Sequence, residues 1–111
     1  MIKLIRIDDR LVHGQVATYY VNMTGADTIL VANDKYATNA MLKNTLKIAK
    51  PVNCKMPVRT IDDAILYLNN PEKANRTILL IVGSTADALK ICKSIDKGQE
   101  VNIGGIRKAD N

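Results

Sequence analysis

The sequence predicts an α/β protein built on an open, mainly parallel β-sheet with helices on both faces. Apolar runs typical of buried strands alternate with segments of helical periodicity, and the connections between them are short. One run, residues 77–82, is nearly all aliphatic, which is typical of a central parallel strand covered on both faces. Strand–helix alternation of this kind implies right-handed crossovers that return each helix to the sheet.

Five runs are predicted as strands, namely residues 2–7, 27–32, 52–59, 77–82 and 100–103. The third contains Pro57, which lacks a backbone N–H and therefore indicates an edge position. The fifth is short and is ended by Gly104 and Gly105.

Four helices are predicted between the strands from apolar residues at helical spacing. Their inward stripes are, in order, Val12, Val16, Tyr19, Tyr20 and Met23; Ala37, Met41, Thr45 and Ile48; Ile61, Ala64, Ile65 and Leu68; and Ala88, Ile91, Cys92 and Ile95. Gly25, Pro51 and Gly98 are expected to end the first, second and fourth. Thr60 with Asp63 three residues later indicates the N-terminal cap of the third.

Composition indicates a single domain over residues 1–111. Hydrophobic residues make up 47% and charged residues 24%, as in ordinary globular proteins. The longest aliphatic run, residues 78–82, is too short to span a bilayer, and the charged N-terminal segment lacks a signal-peptide core. Cys54 and Cys92 are too isolated for a zinc site or a redox pair, so reduced thiols in the cytoplasm are predicted.

The net charge of +5 favours anionic partners. Nucleic acid is not predicted among them, because the basic residues are scattered, Trp and Phe are absent and no RNA-binding or zinc-finger motif occurs. A solvated basic surface explains most of these charges. Arg6 and Arg10, which lie close to the only histidine, are the exception.

That histidine, His13, follows the first predicted strand and precedes the first predicted helix. Neutral imidazole is well populated near pH 7, and arginine presents a fork of donors that matches phosphoryl oxygens. The N–H groups that begin the helix also favour an anion, and ligands in such folds bind beyond the carboxyl ends of the strands. The residues predict a phosphate-handling site at His13, with a structural histidine as the alternative.

Other phosphate chemistries lack their motifs. The chain has neither a P-loop nor a GxGxxG dinucleotide-binding sequence, and no nucleophile elbow surrounds Ser84. A metal site made of Asp8, Asp9 and His13 is not favoured, because metal-assisted hydrolysis would need more than one imidazole. Covalent catalysis by His13 remains, for which no metal or cofactor is predicted.

Residues 5–17, Ile-Arg-Ile-Asp-Asp-Arg-Leu-Val-His-Gly-Gln-Val-Ala, closely resemble the signature of EIIB components of the mannose/fructose/sorbose class of the bacterial phosphotransferase system (PTS). The resemblance continues through residues 31–34, 69–71 and 101–105 and covers essentially the whole chain. It implies a protein-Nπ-phosphohistidine–sugar phosphotransferase component. His13 would accept a phosphoryl group from the histidine of an EIIA partner and deliver it to a sugar brought through the membrane by EIIC and EIID. A cytoplasmic protein associated peripherally with that permease follows, and an oligomer is left open.

The catalytic set predicted at this site comprises His13, Arg6, Arg10 and Asp8. His13 accepts and donates the phosphoryl group, and the two arginines bind its oxygens. Asp8 is predicted to orient the imidazole, with Asp9 as the second choice; capping of the helix start is the alternative for either.

The predicted substrate-binding set is Asp9, Gly14, Gln15, Asn33 and Asp34. Gly14 would allow close backbone approach, and Gln15 would donate to the phosphoryl group. Their alternatives are a turn residue and a solvated glutamine. Asn33 and Asp34 end the second strand and would line the same pocket, although an Asx turn explains them nearly as well.

The chain departs from the family pattern in two places. Family members usually carry an arginine in the helix after the Asn-Asp motif, where this chain has Leu42 and Lys43. Lys43 offers a point charge from a different angular position. The chain also stops at Asn111 where members normally continue, so we expect the C-terminal part of the family fold to be absent. These departures keep open a non-catalytic binding or regulatory domain of the same fold.

Overall fold

A computed structural model describes residues 2–12, 14–73 and 75–95, and in these ranges four parallel strands form one sheet. The strands are β1 (Ile2–Ile7), β2 (Thr28–Ala32), β3 (Val58–Arg59) and β4 (Ile78–Val82), arranged in the order β1-β4-β2-β3. The helices are α1 (Gly14–Thr24), α2 (Asp34–Ala37), α3 (Ala40–Ile48), α4 (Ile61–Asn69) and α5 (Thr85–Ser94), with a 3₁₀ turn at Pro71–Lys73. The predicted parallel α/β architecture is confirmed.

Helices cover both faces of the sheet because successive strand residues point to opposite sides. One apolar cluster joins Leu30 and Leu80 to α4 and α5 through Ala64 and Ile91. The other joins Val31 and Ile81 to α1 and α3 through Ala17 and Leu46. The residues of β2 and β4 are buried throughout, so the prediction of a central strand at residues 77–82 is also confirmed.

The third strand is at the edge, as Pro57 predicts, but it is much shorter than residues 52–59. Pairing with β2 is limited to Val58 and Arg59, with one isolated bridge from Lys55 to Thr28. Asn53 has a φ of 63°, which interrupts extended backbone, and Pro57 contributes no N–H. The predicted fifth strand, residues 100–103, and the helix end at Gly98 lie outside the described residues.

The second predicted helix is in fact two helices, α2 and α3. Asn39 separates them, and its side chain accepts the Leu42 N–H at 3.1 Å and so caps α3. The predicted stripe is wrong for α3, because Met41 and Ile48 face solvent and Leu46 is buried instead. Because α3 begins at its own cap and does not continue α2, a different set of its residues faces the sheet from the one predicted for a single helix.

The predicted stripe on α1 is only partly correct. Ala17 is buried and Tyr20 packs against the core, whereas Tyr19 is 61% exposed and Met23 is 55% exposed. Adjacent tyrosines cannot both face the sheet, and the small side chain of Ala17 lets the helix approach closely. The predicted end at Gly25 is confirmed, since this glycine has a φ of 70° and donates to the Val21 carbonyl at 2.9 Å.

The apolar stripes predicted for α4 and α5 are confirmed, and so is the Thr60 cap. Thr60 Oγ1 accepts the Asp63 N–H at 3.1 Å, which places Ile61 and Ala64 against the sheet. None of the helices in the described part of the chain is long and apolar enough to span a membrane.

Burial sets the reactivity of Cys54. It raises the pKa of this thiol, outweighing a backbone hydrogen bond involving Ile29 and the nearby Lys50 charge, which act in the opposite direction. A raised pKa leaves less thiolate at a given pH, so iodoacetamide should alkylate Cys54 more slowly at pH 8 than it alkylates the unfolded chain. Peptide mapping of native and denatured protein measures this. Equal rates in both states would contradict the burial.

Candidate active site

The candidate site lies at the carboxyl edge of the sheet, in the loop between β1 and α1. Neighbouring strands β1 and β4 send their following helices to opposite faces, α1 to one and α5 to the other. A crevice therefore opens between the two loops, which is where open α/β sheets bind ligands.

Asp8 organises this loop. Its N–H donates to the Val82 carbonyl at 2.9 Å, extending the pairing of β1 with β4 by one residue. Asp8 Oδ1 accepts the Arg10 N–H at 2.9 Å, and the Asp8 carbonyl accepts the Leu11 N–H at 3.0 Å. The side chain is only 1% exposed. The loop is thus a tight turn held by one buried carboxylate.

Leu11 adopts a left-handed conformation with a φ of 60° and is buried. Such a conformation is uncommon for a branched residue and is maintained only where the surrounding packing requires it. Its side chain packs in the apolar cluster on the α1/α3 face of the sheet. The backbone just before position 13 is therefore fixed by packing.

Arg6 is held in place from two sides. Its Nη2 lies 3.2 Å from Asp8 Oδ2, and its guanidinium carbon lies 4.4 Å from the centre of the Tyr20 ring on α1. The side chain is 12% exposed. Alternation along β1 predicts that Arg6 and Asp8 share a side, and the structure brings them together as expected. A salt bridge and a cation–π contact pre-organise this cation at the crevice.

The other loop residues of the predicted site are more open. Arg10 is exposed, and its guanidinium makes no hydrogen bond or ion pair with the residues that the structure describes. Asp9, Gly14 and Gln15 are exposed as well. An exposed arginine and the first turn of α1 therefore face the solvent at the crevice.

The start of α1 carries no acidic residue in its first turn. Helices commonly place Asp or Glu there, where it offsets the partial positive charge of the free N–H groups. Without such a residue, that charge is available to an external anion beside Arg6 and Arg10.

Asn33, at the end of β2, borders the crevice from the neighbouring strand. A Cβ placed on Gly83, in the loop after β4, would lie 3.3 Å from Asn33 Nδ2 and 3.7 Å from Leu11 Cδ2. The three loops therefore meet at Gly83. Asn33 Oδ1 accepts the Tyr36 N–H at 3.0 Å, so Asn33 also caps α2.

Asp34 is directed elsewhere. Its Oδ1 accepts the Ile61 N–H at 2.8 Å, which ties the loop after β2 to the first turn of α4. Lys43, considered as a replacement for the family arginine, is half-buried on α3. Ser84 caps α5 by accepting the Asp87 N–H at 3.2 Å. Asp34 and Ser84 therefore have structural roles, and the substrate role of Asp34 stays a prediction.

His13 lies outside the described residues, between Val12 and Gly14. Its predicted role, and those of its neighbours, stay predictions. The Asp8 carboxylate in this loop accepts from Arg6 Nη2 at 3.2 Å and from the Arg10 N–H at 2.9 Å.

Three residues that the structure places at the candidate site are not predicted there from the sequence: Tyr20, Leu11 and Gly83. The sequence predicts Tyr20 only as part of an apolar stripe, although an aromatic residue on the inward face of the helix after an arginine-bearing strand is a signal for a cation–π contact. Glycine directly after a central strand is a similar signal for close approach between loops. No sequence pattern indicates the left-handed Leu11.

Comparison with known families decides the identity. The model of the family described as "PTS system sorbose subfamily IIB component" matches residues 2–110. The chain belongs to this family. It is therefore a PTS IIB component of the sorbose/mannose class, which agrees with the resemblance of residues 5–17.

Curated relatives support this placement. A probable phosphotransferase enzyme IIB component of Streptococcus pyogenes is 39% identical over 110 residues, which cover 99% of this chain and 68% of the relative. The sorbose-specific EIIB component of Klebsiella pneumoniae is 30% identical, with 95% and 64% covered. The mannose-specific EIIAB component of Escherichia coli is 33% identical, with 96% and 33% covered. The chain thus spans from one third to about two thirds of these relatives.

Solved IIB structures share the fold. The IIB domain of the sorbose permease of Klebsiella pneumoniae superposes with a TM-score of 0.83 at 30% identity, over 97% of this chain and 66% of that one. The N-acetylgalactosamine-specific IIB component 1 of Escherichia coli gives a TM-score of 0.80 at 26% identity, over 99% and 72%. The IIB fold is therefore established for this chain.

Proposed function

We propose that this IIB component carries a phosphoryl group on His13, accepting it from a phosphorylated EIIA and passing it to a sugar of the mannose/fructose/sorbose class during uptake. The observation that carries the proposal is the pre-organised cation at the crevice. Arg6 is fixed between Asp8 and Tyr20 beside the loop that contains position 13. Family membership supplies the reaction class.

In the first step, a neutral imidazole nitrogen of His13 attacks the phosphorus of the EIIA phosphohistidine. One P–N bond forms as the other breaks, so the phosphoryl group moves without a net change in bond type. Arg6, Arg10 and the N–H groups at the start of α1 offset the charge on its three oxygens. Asp8 holds the imidazole through its other nitrogen and stabilises the orientation.

In the second step, a sugar hydroxyl attacks the phosphorus, a P–O bond forms, the P–N bond to His13 breaks, and the released imidazole nitrogen takes up the hydroxyl proton. Asp9, Gln15, Asn33 and Asp34 belong to the proposed binding set. Of these, Asn33 has the clearest position, since Nδ2 faces the Gly83 loop beside Leu11. Asp34 contributes through its tie to α4. The sugar itself would be presented by the EIIC and EIID permease, with which this component associates from the cytoplasmic side.

The variant Gly14→Ala tests whether the phosphoryl group must come close to the backbone at position 14, separately from any effect on folding. Among the described residues, a Cβ at this position would meet only the Ala49 carbonyl at 3.9 Å, an ordinary contact, so the free energy of unfolding of Gly14→Ala should lie within about 1 kcal/mol of the wild-type value. We expect its phosphotransfer to be several-fold slower, because the methyl group intrudes where the phosphoryl group approaches. Thermal unfolding and stopped-flow transfer measure the two effects. An unchanged phosphotransfer rate would indicate that Gly14 serves only as a turn residue.

The EIIA partner should be steered by charge. A chain of net charge +5 with Arg10 exposed at the site favours an acidic or polar EIIA face through a small, transient interface. The transfer rate from phospho-EIIA should therefore fall as salt rises. A transfer rate that does not change with salt would indicate that apolar contacts govern docking. Tyr19 and Met23 are exposed and could make such contacts, whereas Leu11 and Val12 are buried and could not.

Incubation with phosphoenolpyruvate, Enzyme I, HPr and a matching EIIA tests the proposal. The intact mass of this chain should increase by one phosphoryl group, and omission of EIIA should prevent the increase. An unchanged mass with a demonstrably phosphorylated EIIA would favour the alternative, a non-catalytic binding or regulatory domain of the same fold.

A further inference from the structure

A basic pocket lies at the opposite side of the sheet from the candidate active site. It has a volume of about 560 Å³ and borders the edge strand β3, the segment before it and the 3₁₀ turn after α4. β1 and β3 are three strand spacings apart, which is roughly 14 Å across the sheet. The pocket is therefore separate from the crevice between β1 and β4.

Five basic side chains converge on this pocket, and no acidic one lines it among the described residues: Lys50, Lys55, Arg59, Lys73 and Arg76. Asp27, just before β2, is engaged in structural hydrogen bonds: its Oδ1 accepts the Thr28 hydroxyl at 2.8 Å and the Thr77 N–H at 3.2 Å. Like charges gathered around one cavity repel each other, and a bound anion relieves that repulsion.

Neutral groups hold three of these cations in place. Lys50 Nζ donates to the carbonyls of Pro51 and Cys54 at 3.2 and 3.0 Å, and Arg59 Nη1 donates to the Val58 carbonyl at 3.1 Å. Lys73 Nζ lies 5.1 Å from the centre of the Tyr67 ring. These contacts are with neutral groups, so they fix the position of each side chain without neutralising its positive charge. The cations are therefore arranged before a ligand arrives.

The rest of the lining suits a small organic molecule. Met56, Pro57 and Tyr67 contribute half-buried apolar surface, and the volume is in the range of small-molecule sites. Lys73 and Arg76 are half-buried too, so an anion bound to them would be partly removed from water and less screened by salt.

We propose that this pocket binds a small organic phosphate with at least two negative charges, of the sugar-bisphosphate class. The phosphate groups would contact the lysines and arginines, and the organic body would lie against Tyr67 and Pro57. The site is distinct from phosphoryl transfer at His13 and does not require it. Binding at the edge strand would give the domain a means of sensing phosphorylated metabolites.

Titration of the whole chain with fructose 1,6-bisphosphate tests this by calorimetry and by backbone amide NMR. We expect saturable binding with a dissociation constant below about 1 mM, with shifts centred on Lys55, Arg59 and Lys73. Unphosphorylated fructose should not bind. Shifts centred on the loop at residues 8–12 alone would overturn the proposal, because they would place the ligand at the phosphotransfer site.

Matched variants give the second arm of the test. Lys73→Gln combined with Arg76→Gln should weaken binding at least tenfold, whereas Lys90→Gln combined with Lys93→Gln, which removes the same charge from two exposed positions on α5, should leave it unchanged. An equal loss of affinity in both variants would show a general effect of net charge and would overturn the proposed site. Binding to phosphatidylglycerol vesicles without binding to the free bisphosphate would also overturn it and assign the pocket to a membrane surface.

Discussion

Replacement of His13 by alanine is expected to abolish phosphoryl uptake from phospho-EIIA while the chain stays folded. The imidazole is the proposed nucleophile, and the hydroxyl of Ser84, the alternative acceptor, is engaged in capping α5. The described apolar clusters on both faces of the sheet consist of other residues, so the fold should not depend on this side chain. Intact-mass measurement after incubation with the phosphorylation cascade gives the result.

Circular dichroism and thermal unfolding of His13→Ala provide the control, and they should match those of the wild type. Ser84→Ala is the matched variant for a hydroxyl acceptor. It should keep full phosphoryl uptake and lose some stability, because Ser84 caps α5. Full uptake by His13→Ala would contradict the proposed function.

Replacement of Arg6 by lysine should slow phosphotransfer by a factor on the order of 10²–10³, the usual cost of removing one pre-organised transition-state donor. Lysine keeps the charge but cannot present a planar fork of donors to the phosphoryl oxygens or stack as a plane on Tyr20. Single-turnover transfer from phospho-EIIA measures the rate. We expect Arg10→Lys to be slow for the same loss of the fork.

The control for a general lysine–arginine effect is Lys93→Arg on the exposed end of α5, which should transfer at the wild-type rate. Unfolding of Arg6→Lys should remain cooperative, so that the rate reports on the site. A wild-type rate in Arg6→Lys would assign the Arg6–Asp8 pair to loop structure alone.

Strand–helix alternation is sufficient to predict the sheet, because β2 and β4 are aliphatic throughout and cannot be stable unless covered on both faces. The faces of α1 and α3 are less predictable. Both helices carry more apolar residues than one stripe holds, and the cap at Asn39 resets the register of α3. Tertiary packing then decides that Ala17 and Leu46 are buried.

The position of the site is predictable from the strand end and the charged segment that follows it. The pairing of Arg6 with Asp8 follows from alternation along β1. The contact of Arg6 with Tyr20 depends on how α1 crosses the sheet, and the left-handed Leu11 depends on packing around one residue, so neither can be predicted locally. The hydrogen bond from the Ile61 N–H to Asp34 Oδ1 joins residues 27 positions apart, so it too depends on tertiary packing and cannot be predicted locally.

Peptide mapping of the phosphorylated chain by tandem mass spectrometry tests the central claim most directly. The phosphoryl group should be found on the peptide that contains His13, and the adduct should be stable to alkali and labile in acid, as a phosphohistidine is. An acid-stable, alkali-labile adduct on another peptide, such as the one that contains Ser84, would contradict the assignment of His13 as the phosphoryl carrier.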